Sequence, residues 1–450
     1  MKIKLIKGSD VTSDLLQRKD PLDMSDLSDR VKERTKEIFG TNITPAQSVV
    51  KIIEDVRSQG DKAVLHYAQI FDDPDITTTT FDKDQIKNAT KRIDASLLYA
   101  LEAAADRIKE YHVKTMPSLN INVSPGVSEV VRPLSKVGMY VPGGTAAYPS
   151  TVLMTVIPAK VAGCESVYMA TPKLFNTEVN PVVLAAAEIS GVDQIFQIGG
   201  VPAIAAFAYG TESIPQVDKI CGPGNVLVAY AKKIVQGQVD IDGIFGPTET
   251  IVLADETASP EFCAADMIAQ AEHDPMATAI LITTSETLII AIEQEIDKQL
   301  KLHPRGKMAQ EALANRGKIV LTDNLDKAMD IANSIAPEHL CLMVKDTDYW
   351  KTQVVNAGGL FLGEFSPEVM GDYIAGPSHV MPTGGTARFN STLSVHHFLK
   401  TMPVVELQSP AFKKLAPYAI KIAESEGLTA HANALDIRLK QLNNTVQKRD

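Results

Sequence analysis

Cysteine is scarce in this chain: only Cys164, Cys221, Cys263 and Cys341 occur in 450 residues. They form no CxxC pair and sit among apolar neighbours, so they read as reduced, buried fillers rather than a disulfide framework. Long hydrophobic runs are missing too. No stretch reaches the roughly 20 apolar residues a membrane span needs. The start, Met1 to Gly8, alternates like a strand and has no leader-like apolar core, so secretion is not expected. Positive charge is in deficit, with 44 Lys and Arg against 55 Asp and Glu, a net −11 and a pI near 5.4. That balance argues against nucleic acid as the main partner. Short repeats and low-complexity segments are absent. A soluble, cytoplasmic protein acting on something small is the expectation.

The chain is otherwise ordinary globular material, 45% apolar and 22% charged. Its length exceeds what one core usually supports, so at least two domains are expected. Residues 9–40 are polar and weakly patterned and read as an extended arm. Thr44-Pro45-Ala46-Gln47 is a capping box with Pro at the first helical position, followed by a stripe of Val49, Ile52, Ile53 and Val56 that ends at Gly60. Asp82 with Gln85 predicts a second box opening one long helical stretch, with Leu97, Leu101, Ala104, Ala105 and Ile108 on a shared face. His66 and His112 lie in these helices without ligand-like neighbours and read as structural.

From Val137 the pattern changes. Strands at 137–141, 166–171, 194–199 and 219–221 alternate with helices at 150–162, 181–190, 202–209 and 226–235. After 243–247 the alternation restarts, with strands at 250–254, 279–283, 318–322, 340–344 and 360–363. Such alternation predicts βαβ units and mainly parallel pairing. Two similar α/β halves in tandem predict two packed sheets with a cleft between them. The chain from Ser391 onward reads as mostly helical and charged, ending in a polar tail.

Three features carry chemistry. Ala336-Pro337-Glu338-His339-Leu340 sets a carboxylate beside an imidazole as a short apolar strand begins. Such a pair suits general acid–base work near neutral pH. Strand alternation predicts that at most one of the two enters the core; the bland alternative is a solvated turn. Glycine loops recur at strand–helix junctions, where open α/β sheets bind ligands: Tyr140-Val141-Pro142-Gly143-Gly144-Thr145, Ile198-Gly199-Gly200 and Gly222-Pro223-Gly224-Asn225. The last departs from a dinucleotide fingerprint, because Leu227 takes the third glycine place, although Asp242 follows at about the right distance. Each loop alone also reads as a tight turn; together they favour a phosphate-bearing or extended ligand. Lastly, Gln270 and His273 share a helix face, Asp372 lies on a Gly-flanked loop, and His431 sits in the first turn of a late helix. Two imidazoles with oxygen donors suit Zn²⁺ or a similar ion; an ordinary helix end and a capping His is the alternative.

Taken together, these segments resemble the L-histidinol dehydrogenase family. The resemblance is carried by 137–145, 219–225, Ala269-Gln270-Ala271-Glu272-His273, Ala336-Pro337-Glu338-His339-Leu340, Ser366 to Tyr373, His379 to Thr386 and Glu426-Gly427-Leu428-Thr429-Ala430-His431, in family order from about residue 40 to 440. It implies an α/β fold of two Rossmann-like halves around a cleft, with terminal segments intertwined in a homodimer. The domains it implies are an arm at 1–40, one half from 41–136 with 247–390, a second at 137–246, and a helical segment at 391–450. It implies zinc held by Gln270, His273, Asp372 and His431, the last supplied across the dimer. Glu338 and His339 would be the proton-handling pair, and Tyr140 and Asn225 would lie near NAD. Thr248, His339 and Glu426, with the four zinc ligands, would contact the substrate. The implied reaction is a four-electron oxidation of L-histidinol to L-histidine.

Two departures bear on ligands. Pro202 stands where the family often has Gln, which removes a side-chain hydrogen bond to NAD. Thr248 stands where the family has Ser, keeping the hydroxyl and adding a methyl. A paralogue oxidising another small polar alcohol, such as a sulfonated diol, is the nearest rival. Glu426 beside His431 disfavours it, since a sulfonate would prefer a basic partner. A zinc hydrolase using Glu338 would leave the glycine loops without a purpose.

Overall fold

The computed structural model describes residues 3–8, 22–25, 27, 29–41, 43–143, 147–173 and 178–447. The strands, in chain order, are β1 (Lys4–Lys7), β2 (Asn120–Ser124), β3 (Val127–Pro133), β4 (Lys136–Tyr140) and β5 (Ser166–Ala170). Then come β6 (Gln194–Phe196), β7 (Lys219–Cys221), β8 (Asp240–Ile241), β9 (Glu249–Ala254) and β10 (Thr278–Thr283). The last four are β11 (Lys318–Leu321), β12 (His339–Met343), β13 (Gly359–Leu362) and β14 (Leu399–Val405). The chain divides into two compact units, one of Met1–Met116 with Leu134–Phe398, the other of Pro117–Pro133 with Leu399–Asp450.

The first unit holds two wholly parallel sheets, ordered β6-β5-β4-β7-β8 and β1-β11-β10-β9-β12-β13. Numbered within its own half, each sheet runs third, second, first, fourth, fifth, and β1 is added at the edge of the larger one. Parallel pairing forces a helix into every crossover, which covers the sheet faces and explains the near-continuous apolar strands. In the larger sheet, Val252, Leu281 and Ile319 pack on one side with Met267 and Ile292, while Leu253, Ile282 and Val320 pack on the other with Met329 and Ile335.

The early helices follow local signals unevenly. Helix Pro45–Gln59 forms as the capping box predicts, with Thr44 and Gln47 exchanging both side-chain bonds and Val49, Ile52, Ile53 and Val56 buried. That stripe shares its core with Phe207 and Ile220, so these helices pack with the smaller sheet rather than with 247–390. The polar arm is not extended throughout, since Asp29–Phe39 is helical; its residues 9–21 lie outside the described residues. The long helix expected from Asp82 is interrupted. Asp82 caps only Lys83–Lys87, and a new helix, Ala95–Lys114, starts from Asp94, whose carboxylate accepts from the Ser96 and Leu97 amides. Leu97 then faces out at 37% exposure. All four cysteines are buried and unpaired by disulfide. Among the described residues no helix is long and apolar enough to cross a membrane.

The second unit is an antiparallel sheet, β14-β3-β2, with helices Ser409–Ser425 and Thr429–Gln447 packed on each other.

Candidate active site

The Glu–His pair is set by an irregular approach to β12. Helix Leu325–Ile335 ends at Ala336, whose φ of 49° makes it the only non-glycine left-handed residue among those described. An alanine pays for that conformation, so the turn is imposed by its surroundings. Pro337 follows, and β12 begins at His339. Both Glu338 and His339 are buried, at 7% and 4% exposure. This corrects the expectation that only one could enter the core. β12 lies between β9 and β13 with helices on both faces, and Glu338 precedes the pleat, so alternation does not divide the pair between inside and outside. The pair also sits at the amino ends of the strands, opposite to the usual ligand edge of an open parallel sheet.

Glu338 Oε2 accepts from Thr248 Oγ1 at 2.6 Å and from the Glu249 amide at 3.0 Å. Burial pushes its carboxyl up to about 8, against those two donors and with the Asp372 carboxylate. Thr248 in turn accepts from Gln270 Nε2 at 2.8 Å. Gln270 lies near the end of helix Pro260–Ala271 and is 1% exposed, while His273, two residues past that helix, is exposed. Asp372 sits in the short helix Glu368–Tyr373 rather than on a loop.

Two residues here lie in segments that carry the family resemblance but were given no site role from sequence. His379 Nδ1 donates to the Asp372 carbonyl at 3.0 Å, and Nε2 stands 3.3 Å from Thr151 Oγ1. Burial holds it below the ordinary imidazole range, and His339, His273 and Asp372 all lie within its electrostatic reach. The other is Glu368, 1% exposed, with Oε2 3.7 Å from His339 Nδ1. Nothing in a sequence marks a single glutamate for such a place.

The glycine loops cluster at the carboxyl ends of the smaller sheet, where its strand order reverses between β4 and β7. Tyr140, at the end of β4, accepts the Gly200 amide at 3.1 Å, and Asp72 accepts the Gly199 amide at 2.9 Å. Burial lifts the Tyr140 phenol to about 12 and the Asp72 carboxyl to about 6. Gly222 is left-handed at φ 117°, and a Cβ there would strike the Tyr140 carbonyl. Asn225 caps helix Val226–Val235 by accepting the Leu227 and Val228 amides. Asp242 turns inward, accepting from the Gly222 amide at 2.6 Å and pairing with buried Lys232. Its carboxylate clamps the loop. Gly144 and Thr145 of the first loop lie outside the described residues. Pro202 is buried in the first turn of helix Gly200–Tyr209.

Glu426 and His431 belong to the second unit, and both are exposed there. Among the described residues no three His, Cys, Asp or Glu side chains form a metal-holding group. The first unit contributes only His273 and Asp372 of those types to the expected set. Its donor chemistry still fits a borderline divalent ion. Gln270 spends Nε2 on Thr248, which turns Oε1 into its available donor, beside one imidazole and one carboxylate.

Buried proton-handling groups on one parallel sheet, and tight glycine turns at the switch point of another, define an α/β protein equipped for acid–base chemistry. The comparisons make the class specific. The histidinol dehydrogenase family model matches residues 39–439. Histidinol dehydrogenase of Clostridium acetobutylicum is 47% identical over 397 residues, covering 88% of this chain and 92% of that protein. The Listeria monocytogenes enzyme is 45% identical over 428 residues, covering 93% and 100%. The crystal structure of histidinol dehydrogenase from Elizabethkingia anophelis superposes with a TM-score of 0.89 at 34% identity, covering 98% of this chain and 99% of that one. The chain belongs to the histidinol dehydrogenase family, whose members are oxidoreductases of histidine biosynthesis.

Proposed function

We propose that the chain oxidises L-histidinol to L-histidine through bound L-histidinaldehyde, reducing two NAD⁺ in turn. The observation that carries this reading is the chain of contacts Glu338–Thr248–Gln270, which ties a buried carboxylate to a donor suited to metal. Gln270, His273, Asp372 and His431 would hold Zn²⁺, and Tyr140 and Asn225 would flank NAD. When bound, zinc supplies an anchor for the substrate's imidazole and amine, and NAD⁺ supplies the hydride acceptor.

The chain's own groups handle the protons and the water. His339 takes the hydroxyl proton in the first half, and later the proton of the aldehyde hydrate. Glu338 activates water for attack on the aldehyde. Its raised affinity for protons makes it a stronger base than an exposed glutamate. Thr248 holds that carboxylate in place, and with Glu426 contacts the substrate. Burial of the pair keeps bulk water from the aldehyde between steps.

The strand order shared by both sheets supports two Rossmann-like halves. A homodimer that delivers His431 and Glu426 to a partner's site is supported by their exposure and by uncovered apolar side chains on the same helices: Tyr418 is 70%, Ile422 60% and Ile437 55% exposed. A cytoplasmic setting suits the four free thiols. The test is NADH yield: L-histidinol should give two NADH per molecule consumed. Higher kcat/KM with a sulfonated diol, or one NADH per molecule, would reject the reading.

A further inference from the structure

His339 lacks an orienting partner in the pair that the sequence singles out. Both its ring nitrogens are buried, and neither makes a hydrogen bond. Two carboxylate oxygens approach Nδ1: Glu338 Oε2 at 3.9 Å and Glu368 Oε2 at 3.7 Å. They are not equivalent. Glu338 Oε2 already serves Thr248 Oγ1 and the Glu249 amide, so its in-plane lone pairs are taken. Glu368 Oε2 is buried without any donor. An acceptor left in that state is costly. A small closing movement, or one bridging water, would join it to an Nδ1 proton, as catalytic bonds often tighten once substrate is bound.

We propose that Glu368 is the positioning residue of His339: its Oε2 accepts a hydrogen bond from Nδ1–H, which leaves the Nε2 lone pair as the base toward substrate. The proposal rests on the reading of His339 as the base. Its logic is that of a neutral imidazole, where one nitrogen carries the proton and the other the lone pair. A carboxylate at Nδ1 fixes which is which, and stabilises the imidazolium that forms. Glu368 is well placed for this task. It opens the short helix that also carries Asp372, so one rigid segment supports both the orienting carboxylate and a candidate metal donor. Burial lifts its carboxyl to about 7, against His339 and the Thr250 hydroxyl, and with Asp372 and Asp266. The Cys341 thiol of β12 also faces it.

Steady-state kinetics with L-histidinol and NAD⁺ test the proposal on Glu368→Gln, Glu368→Asp, His339→Asn and the double variant Glu368→Gln/His339→Asn, with zinc content and Tm measured for each. Glu368→Gln should lower kcat roughly 10²-fold with little change in KM. The acid limb of its kcat/KM profile should move to lower pH by about one unit, because the charge that favoured imidazolium is gone. Added to His339→Asn, it should cost nothing further. Glu368→Asp keeps the charge, so it should retain more kcat than Glu368→Gln and leave the acid limb in place. Wild-type kcat and pH profile in Glu368→Gln would overturn the proposal. So would a loss that adds fully to that of His339→Asn, or a Glu368→Asp variant whose acid limb shifts. Wild-type turnover in His339→Asn would instead remove the base reading itself, a separate outcome.

Discussion

Thr248 Oγ1 donates to Glu338 Oε2 at 2.6 Å and itself accepts from Gln270 Nε2 at 2.8 Å. One hydroxyl therefore sets the direction of the candidate water-activating carboxylate and of a candidate metal donor. Its extra methyl does not prevent either bond. Thr248→Ser should stay near wild type. Thr248→Val should lose roughly 10- to 100-fold in kcat or zinc affinity, because it strips Glu338 of a donor and leaves a buried amide proton unpaired. Kinetics with zinc titration decide it, and wild-type values for Thr248→Val would refute the coupling.

Glu338→Gln should slow oxidation of the aldehyde more than oxidation of the alcohol, since only the second half needs activated water. His339→Asn should damage both halves, because each requires a proton to leave before hydride does. Rapid-mixing measurements started from either substrate separate the two. Equal losses for Glu338→Gln in both halves would sink this division.

Lys232 and Asp242 form an ion pair with side chains 2% and 1% exposed, and both hold Gly222, through its carbonyl and its amide. Asp242→Ala leaves a cation buried without its partner. It should cost about 3–5 kcal/mol in stability and weaken NAD binding by loosening the loop. Thermal unfolding within a degree of wild type would show that the clamp does not bear on the fold.

Asp266 faces the Glu368 cluster with Oδ2 unpartnered, and burial lifts its carboxyl to about 6. The folded value lies above that of an exposed aspartate, so the folded chain binds this proton more tightly than the unfolded one. The resulting stability is complete below about pH 4 and is lost as pH rises through about 6. Asp266→Asn should therefore raise stability at pH 8, by on the order of 2 kcal/mol, and change it little at pH 4. An equal effect at both pH values would exclude burial of the charge as the cause.

The proposed sharing of His431 also has a direct test. Inactive His273→Ala and His431→Ala subunits, mixed and allowed to exchange, should regain activity. One site of the mixed dimer inherits both defects and the other neither, so activity should approach half of wild type per dimer. Mixed dimers that form yet stay inactive would place both ligands in one chain.

What the sequence determined by itself was whatever depends on near neighbours. Helix Pro45–Gln59 follows from its capping box and apolar stripe, and the strands of both sheets other than β1 and β8 follow from βαβ alternation, to within two or three residues at each end; the two-residue β8 is too short to show a pattern. The family motifs also marked Glu338, His339, Thr248 and Gln270 before any contact between them was known. Local signals failed where distant groups compete. Asp82 has the look of a long helix start, yet the chain breaks at Asn88 and restarts from Asp94. Only the tertiary structure decided that Glu338 and His339 are both buried, that Asp242 is held by Lys232, and that Glu368 stands beside an imidazole without a partner. Lone pairs are claimed or left free by donors 10 to 90 positions away, as with Lys232 for Asp242 and Thr248 for Glu338. Burial then sets the proton affinity of each such group, and neither effect has a periodicity that a sequence can display.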